Sequence, residues 1–251
     1  MLYEQTVDRM QAMNLSGMAV ALEEQRQQAG ITDLDFEERL GMLVERQWLW
    51  QQNRALSRRL KAAKLKLNAC LEDINYRHKR GLRRDTVEQM IGADWVRCHR
   101  NCIISGQTGT GKTYLACALA HQACRDGFRV LYYYAPKLFR DLRTAQLDGS
   151  LVRLLRKLAR SQLLVIDDWG MEKVEPQEYR GFLEMLEDRY DIGATMITSQ
   201  FDVSVWHELI ADATVADAIL DRLVHSAYRI DLSGESIRKT RGSGASSQSK
   251  N

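Results

Sequence analysis

The feature that most constrains the fold of this chain is a glycine-rich segment, Gly106-Gln107-Thr108-Gly109-Thr110-Gly111-Lys112-Thr113. It matches G-x-x-x-x-G-K-[ST], the phosphate-binding loop that joins a buried strand to a helix. The apolar residues 101–105 precede it and a helical pattern over residues 114–125 follows it. Glycines let backbone N–H groups turn toward phosphates, and the helix N-terminus adds a positive dipole. The segment therefore predicts a site for a nucleoside triphosphate.

Strand and helix patterns alternate on the C-terminal side of this loop. Apolar runs that are typical of buried strands are separated by helical patterns: strands at 128–134, 162–166 and 194–199, and helices at 137–160, with a break near 148–150, and at 177–190. Strands that alternate with helices of this length predict a parallel sheet covered by helices on both faces. The expected fold class is therefore α/β.

The first hundred residues lack this alternation and have helical patterns. One helix is predicted over residues 4–29, ending at Gly30, and a second begins near residue 35. Because no glycine or proline interrupts residues 42–80, one or two long helices are expected there. We expect the apolar stripe of the second helix to be buried, and it includes Phe36, Leu40, Leu43, Val44, Trp48 and Leu49.

These patterns predict four segments. They are a helical domain at 1–75, a basic linker at 76–100, a P-loop ATPase domain at 101–241 and a disordered Gly/Ser-rich tail at 242–251. Charge supports the division, since residues 1–53 hold 4 Lys or Arg and 9 Asp or Glu, whereas residues 54–100 hold 13 and 5. A basic block of this kind favours a polyanionic partner, and a solvated helix face is the alternative.

Cysteine content and hydropathy limit the compartment. Five cysteines without a C-x-x-C pair favour a reduced, cytoplasmic location over a disulfide framework or a zinc site. No stretch approaches the ~18 apolar residues of a membrane helix, and the N-terminus lacks the pattern of a leader peptide. We therefore expect a cytoplasmic protein without a membrane partner.

Two carboxylates, Asp167 and Asp168, follow the apolar run at residues 163–166. The carboxyl ends of parallel strands meet at one edge of a sheet, which places these carboxylates beside the phosphate loop. We expect Lys112 to bind the β- and γ-phosphates of ATP, and Thr113 and Asp167 to hold Mg²⁺. Asp168 can orient or deprotonate the attacking water. The alternative is an acidic turn that only caps the next helix.

With these residues the chain resembles the AAA+ ATPases, and within them the IstB-like transposition helper proteins, relatives of the DnaC helicase loaders. The matching stretches are Gly106–Thr113, Leu163–Gly170, Met196–Gln200 and Ile219–Leu223, and Glu38–Asp73 is similar to the family's helical region. The resemblance covers roughly residues 1–241. It implies a homo-oligomeric ATPase, with ATP between subunits, that assembles on duplex DNA, deforms it, and recruits or stimulates a transposase.

The resemblance also implies roles for single residues. Ser199 or Gln200 corresponds to the polar sensor of the γ-phosphate, and Arg238 to a second phosphate sensor. Arg222 corresponds to an arginine finger, which acts on the ATP of a neighbouring subunit. The alternative for Arg222 is a surface arginine paired with Asp221 or Asp217.

Two departures from the family pattern shape these expectations. Asp168 stands where AAA+ proteins often have glutamate, so we expect slow ATP hydrolysis that DNA or the partner stimulates. The segment after Leu220 is short for the usual helical lid, so the fold is expected to have a reduced or absent C-terminal lid.

Two sets of basic residues are candidates for DNA contacts. The first set follows the long helix and comprises Arg54, Arg58, Arg59, Lys61, Lys64 and Lys66, continued by Arg77, Lys79, Arg80, Arg83 and Arg84. The second set lies between the second and third strands and comprises Arg140, Arg143, Arg153, Arg156 and Lys157. Neither set has interleaved aromatic residues, so we predict phosphate contacts with duplex DNA and little sequence preference. The resemblance favours the second set.

Two other functions remain open at this point. A DnaC-like helicase loader would use the same ATPase and grip a helicase instead of a transposase. A P-loop kinase would phosphorylate a small molecule and use the basic helices to bind an anionic substrate. A monomer with substrate-dependent turnover would favour the kinase, and DNA-stimulated ATP hydrolysis would oppose it.

Overall fold

A computed structural model describes residues 2–78, 80–225 and 227–237. The α-helices are α1 (Leu2–Ala12), α2 (Ser16–Gln27), α3 (Phe36–Ala63), α4 (Arg84–Glu88), α5 (Asp94–Arg97), α6 (Lys112–Arg125), α7 (Ala135–Leu147), α8 (Leu151–Ala159), α9 (Pro176–Glu187), α10 (Trp206–Leu209) and α11 (Ala213–Val224). The strands are β1 (Cys102–Gly106), β2 (Val130–Tyr134), β3 (Leu163–Trp169), β4 (Ala194–Ser199) and β5 (Tyr228–Leu232).

The chain forms two compact units, and it passes from one to the other between Arg58 and Arg59, inside α3. The first unit pairs α2 with α3 at a close approach, because a Cβ at Gly17 would lie 2.8 Å from the Cβ of Trp50. Gln47 fixes the same contact, since its amide accepts from the backbone N–H of Met18 at 3.1 Å. Glycine at this crossing therefore lets the two helices pack directly.

The N-terminal helices differ from the prediction at two breaks. Residues 4–29 are not one helix, because Asn14 takes a left-handed φ of 60° between α1 and α2. No long helix continues to residue 80, because Lys64 has a φ of 55° and ends α3. Asparagine tolerates this conformation, whereas lysine at this position gave no sequence signal of a helix end.

The apolar stripe of α3 is also more exposed than predicted. Leu43 is buried, but Phe36, Val44 and Trp48 are exposed, and Trp48 has 54% of its surface accessible. Periodicity alone predicts which residues share a face, and it does not show whether another element covers that face.

The segment that we predicted as a linker, residues 76–100, lies within the second unit. This segment contains α4 and α5, and five of its apolar residues are buried: Val87, Met90, Ala93, Trp95 and Val96. The unit boundary at Arg58 likewise lies ahead of the predicted boundary at residue 75. The short helices were missed because each has only one turn and a high content of charged residues.

A parallel sheet organises the second unit, and its strand order within the described residues is β2-β3-β4-β1-β5. Side chains alternate between the faces of a strand. Ile103, Ile166 and Ile197 therefore face the cluster that α7, α8, α9 and α11 form, whereas α6 contacts the same strands outside that cluster. The predicted α/β class with helices on both faces is confirmed.

The last strand, β5, was not predicted. It lies at the edge of the sheet beside β1, and its burial alternates so that only Ile230 and Leu232 are buried. The exposed residues that alternate with them, Arg229 and Asp231, interrupt the apolar run that marks a central parallel strand. No helix within the described ranges is long and apolar enough to cross a membrane.

Candidate nucleotide-binding site

The glycine-rich segment lies between β1 and α6, as the motif requires. Gly106, Gly109 and Gly111 all have positive φ, at 142°, 87° and 95°. A Cβ at Gly106 would lie 2.0 Å from the carbonyl oxygen of Leu232, so no other residue fits there. The Lys112 ammonium donates to the carbonyl oxygens of Gly106 at 2.7 Å and Gln107 at 3.0 Å. The loop therefore has the curved backbone that can surround phosphates.

Asp167 is fully buried at the end of β3, and four side chains donate to its carboxylate. The Thr113 hydroxyl lies 2.9 Å from Oδ1 and 3.0 Å from Oδ2, and the Thr198 hydroxyl lies 2.6 Å from Oδ1. The Tyr132 hydroxyl and the Lys66 ammonium lie 2.7 Å and 3.3 Å from Oδ2. These donors satisfy the buried carboxylate and fix its orientation.

Tyr132 acts as a permanent donor in this cluster. Burial and the hydrogen bond to Asp167 raise the pKa of the Tyr132 phenol well above its usual value. The phenol therefore stays protonated throughout the physiological pH range and remains a hydrogen-bond donor to Asp167.

Asp168 has an unusual backbone that turns it toward the cavity. Its φ is 63°, and the pairing of β3 with β4 is irregular between Ile166 and Trp169. The Asp168 N–H donates to the Thr198 hydroxyl at 2.9 Å, which holds this turn in place. Strained backbone of this kind is found frequently at active sites. The irregularity presents two successive carboxylates to one site.

Lys66 lies across this acid pair. Its ammonium is 3.3 Å from Asp167 and 3.6 Å from Asp168. Partial burial acts to lower the pKa of Lys66, but the two carboxylates outweigh this effect and the pKa is raised. Lys66 therefore remains a cation. Its charge offsets the two carboxylates at the place where a divalent cation is expected.

A cavity of about 500 Å³ connects these groups. Its lining joins the phosphate loop to the acid pair and to the segment before α4, with Lys66, Leu67, Asp73, Asn75, His78, Arg80, Lys112, Thr113, Tyr114, Asp168, Gln200 and Ile237 among the residues. Such a volume suits a nucleotide-sized ligand. The Thr113 hydroxyl and the Asp167 carboxylate are hard oxygen donors of the kind that Mg²⁺ prefers, so the residues present fit this ion.

The two sensor candidates at the end of β4 have different surroundings: Ser199 is its last residue and Gln200 follows it. Gln200 lines the cavity and its amide oxygen accepts from Thr108 of the phosphate loop at 2.8 Å. Ser199 is buried and donates to the carbonyl oxygen of Trp169 at 3.1 Å. The geometry therefore favours Gln200 over Ser199 as the residue that faces a phosphate. Arg238 lies outside the described residues.

Arg222 lies near the amino-terminal end of β1, whereas the phosphate loop follows the carboxyl-terminal end of this strand. Asn101, which precedes β1, donates to the Arg222 carbonyl oxygen at 2.8 Å. The guanidinium pairs with Glu187 at 3.1 Å and with Asp221 at 2.6 Å, and it lies over the ring of Tyr190. Arg222 therefore does not meet the phosphate loop of its own chain, and the Asp221 pairing is the one named in the alternative.

The two basic sets differ in their local contacts. In the first set, Arg59 donates to the carbonyl oxygen of Cys124 at 2.7 Å, and Lys66 and Arg80 line the nucleotide cavity. The second set is exposed throughout, and it comprises Arg140 and Arg143 on α7 and Arg153, Arg156 and Lys157 on α8. No salt bridge among the described residues involves a member of the second set.

Sequence reasoning missed four side chains of the site, namely Lys66, Arg80, Tyr132 and Thr198. Lys66 and Arg80 were read as part of the basic block, and Tyr132 as a strand residue. The only available signal was positional, because Tyr132 and Thr198 lie on strands that flank β3.

A phosphate loop after β1 and an acid pair at the end of β3, on this parallel sheet, define a P-loop protein of the AAA+ fold. Residues 8–245 match the family model described as IstB-like ATP binding protein. The chain therefore belongs to the IstB-like family.

Relatives support this assignment over nearly the whole chain. The insertion-sequence protein y4pL of Sinorhizobium fredii is 50% identical over 239 residues, covering 95% of this chain and 98% of that protein. The ATP-binding protein of insertion sequence IS1162 from Pseudomonas fluorescens is 41% identical over 205 residues, covering 81% and 89%.

Solved structures agree on the fold. The crystal structure of DnaI is similar with a TM-score of 0.54 and 24% identity, over 66% of this chain and 91% of that chain. The DnaC helicase loader is similar with a TM-score of 0.54 and 21% identity, over 68% and 99%.

Proposed function

We propose that this protein is a Mg²⁺-dependent ATPase that oligomerises on duplex DNA, remodels it, and recruits or stimulates the transposase of an insertion sequence. The observation that carries the proposal is the hydrogen bond between Thr113 of the phosphate loop and the buried carboxylate of Asp167. This bond brings the phosphate loop next to the acid pair, which supports a single site for nucleotide binding and hydrolysis. The insertion-sequence relatives supply the biological setting.

In this proposal each residue of the site has a separate task. The backbone of the phosphate loop and Lys112 bind the phosphates, and Gln200 contacts the terminal phosphate. Asp168 accepts a hydrogen bond from the attacking water and orients it. Mg²⁺, held by Thr113 and Asp167, supplies Lewis-acid polarisation of the phosphoryl oxygens when bound. Thr198 and Tyr132 keep the Asp167 carboxylate in a fixed orientation.

Replacement of Lys66 by methionine tests the electrostatics of the acid pair. Removal of the ammonium leaves two adjacent carboxylates without a cation, so a divalent ion should be favoured more strongly. We expect the affinity ratio of ATP with Mg²⁺ to ATP with EDTA to rise about three- to tenfold in Lys66→Met. Calorimetric titration measures both affinities, and Lys137→Met, an exposed lysine on α7, is the control. An unchanged ratio would show that the Lys66 ammonium does not compete with Mg²⁺ for the two carboxylates.

The experiment that tests the proposed function is sedimentation of the full chain with ATP or ADP, with and without a DNA duplex. We expect a large complex only when ATP and a duplex of about 50 base pairs are both present. A monomer in all four mixtures refutes assembly and favours the small-molecule kinase. A fifth mixture contains ATP and a replicative helicase, and a complex that forms there, but never on duplex DNA, favours the loader.

DNA binding should depend strongly on salt and on the second basic set. The outer face of α8 carries Arg153 and Arg156, and its other face is buried through Leu155 and Leu158. If six phosphates are neutralised, the binding constant falls as roughly the fifth power of salt concentration. We expect Arg153→Ala/Arg156→Ala to reduce that exponent by about two. Fluorescence anisotropy over a salt series measures it.

The control for this prediction is Arg97→Ala/Arg180→Ala, which removes two exposed arginines elsewhere in the same unit. The control should retain the wild-type exponent. If Arg54→Ala/Arg58→Ala reduces the exponent and the α8 variant does not, DNA contacts lie on the first set. A nearly flat salt response of the wild type would refute phosphate-driven binding.

A further inference from the structure

Arg80 is a buried arginine for which the described residues supply no carboxylate partner. Only 5% of its surface is accessible, and the charge interactions that act on it come from the phenols of Tyr76 and Tyr114. Its Nε has no hydrogen-bond partner within the described part of the chain. A buried charge without an opposite charge is strongly unfavourable, so an isolated protein rarely retains one.

The position of this guanidinium relates it to the phosphate loop. Its Nη1 donates to the carbonyl oxygen of Thr110 at 3.2 Å, and a Cβ at Gly111 would lie 2.5 Å from the same nitrogen. Thr110 and Gly111 directly precede Lys112 in the loop. Arg80 also lines the cavity that contains Lys112 and Thr113. The guanidinium is therefore held against the loop and is available from the cavity.

The surrounding backbone keeps Arg80 in this place. The Ser233 N–H, just after β5, donates to the Arg80 carbonyl oxygen at 2.9 Å. The Ile237 N–H donates to the carbonyl oxygen of Gly109 at 2.9 Å. Arg80 is thus fixed between the phosphate loop and the segment that follows the sheet, although it is far from the loop in sequence.

Burial lowers the pKa of Arg80, because the described side chains around it supply no carboxylate to offset the loss of hydration. An arginine nonetheless remains charged at neutral pH. The missing element is therefore an anion, and phosphate is the anion that guanidinium groups bind best through paired hydrogen bonds.

We propose that Arg80 is a nucleotide-binding residue whose guanidinium pairs with the phosphates that ATP and ADP share. The inference rests on the proposed ATP site and adds a cation to it from outside the motif. The γ-phosphate end of the site lies at the acid pair, whereas Arg80 contacts the part of the loop whose backbone surrounds the α- and β-phosphates. Arg80 should therefore contribute to ATP and ADP affinity alike.

The test is calorimetric titration of the full chain with ATP, ADP and inorganic pyrophosphate, which probes phosphate binding without a nucleoside. We expect Arg80→Gln to weaken all three about 10- to 100-fold, because a charge-assisted hydrogen bond is lost. The melting temperature of the nucleotide-free protein should not fall, because the variant removes an unpaired buried charge. Arg84→Gln, an exposed arginine of the same basic block, is the matched control.

Several outcomes would overturn the inference. Unchanged ATP and ADP affinity in Arg80→Gln refutes it, and so does a loss for nucleotides with unchanged pyrophosphate affinity, which would assign Arg80 to the base or ribose. If Arg80→Gln does not fold, Arg80→Lys decides, since we expect about tenfold weaker binding without the planar fork. If Arg80→Lys binds ATP and ADP with wild-type affinity, the guanidinium does not make paired hydrogen bonds to the phosphates. A wild-type protein that binds neither ATP nor pyrophosphate refutes the proposed function as well.

Discussion

Replacement of Arg222 by alanine should lower the ATPase rate of the assembled protein by about 10³- to 10⁵-fold, with ATP affinity retained. This range is typical of an arginine that stabilises transferring phosphate from a neighbouring subunit. ATP affinity is retained because Arg222 lies near the amino-terminal end of β1, away from the phosphate loop of its own chain. Steady-state phosphate release and calorimetric ATP titration measure the two quantities separately.

Mixing two inactive variants tests action between subunits. The Arg222→Ala subunit keeps an intact phosphate loop, and the Lys112→Ala subunit keeps an intact finger. A complete site forms where a Lys112→Ala subunit places its Arg222 at the phosphate loop of an Arg222→Ala subunit. In a one-to-one mixture we expect about a quarter of the wild-type rate, because one ordered pair in four has this arrangement. A mixture as inactive as its components, or an active Arg222→Ala protein, contradicts the finger assignment.

Replacement of Trp169 by alanine should destabilise the second unit by about 3–5 kcal/mol. Trp169 is 1% exposed, and its ring lies 4.8 Å from that of Phe182, 5.5 Å from that of Phe139 and 5.6 Å from that of Trp206. Alanine leaves a large cavity that rigid rings cannot fill. Chemical denaturation followed by circular dichroism gives the free energy of unfolding.

Leu147→Ala is the control for this loss, because Leu147 is also a large apolar residue of the second unit but is 82% exposed. Its free energy of unfolding should change by less than about 0.5 kcal/mol. If Trp169→Ala is no more destabilising than this control, the aromatic cluster contributes little to the stability of the unit. Trp169 follows Asp168 directly, so its packing also fixes the end of β3 that presents the acid pair.

Features that depend on neighbouring residues in sequence could be predicted. The phosphate loop and the acid pair are contiguous motifs, and the strands and helices around them have strong patterns. The break between α7 and α8 was likewise predicted from Asp148, Gly149 and Ser150, and the structure confirms it. These features are local, so their physical causes are visible in a short window of residues.

Features that depend on tertiary position could not be predicted in the same way. Lys66 and Arg80 belong to a basic run whose members have the same local sequence character but different surroundings. Two of them enter the nucleotide cavity, and others, such as Arg54 and Arg58, are exposed. The difference arises because Lys64 ends α3 and returns the chain toward the sheet. One backbone conformation therefore separates residues that composition groups together.

The short strand β1 links the phosphate loop at its carboxyl end to Asn101, the anchor of Arg222, at its amino end. Five residues of strand span roughly 17 Å. Arg222, as the proposed finger, and the phosphate loop therefore lie near opposite ends of the same strand. When Arg222 of one subunit contacts the ATP site of the next, an open assembly has an unused Arg222 at one end and an incomplete ATP site at the other. Such head-to-tail contacts continue until a ring closes. An open chain of subunits thus has one complete site fewer than it has members. Turnover per subunit should rise with length and level off in a ring or a long filament.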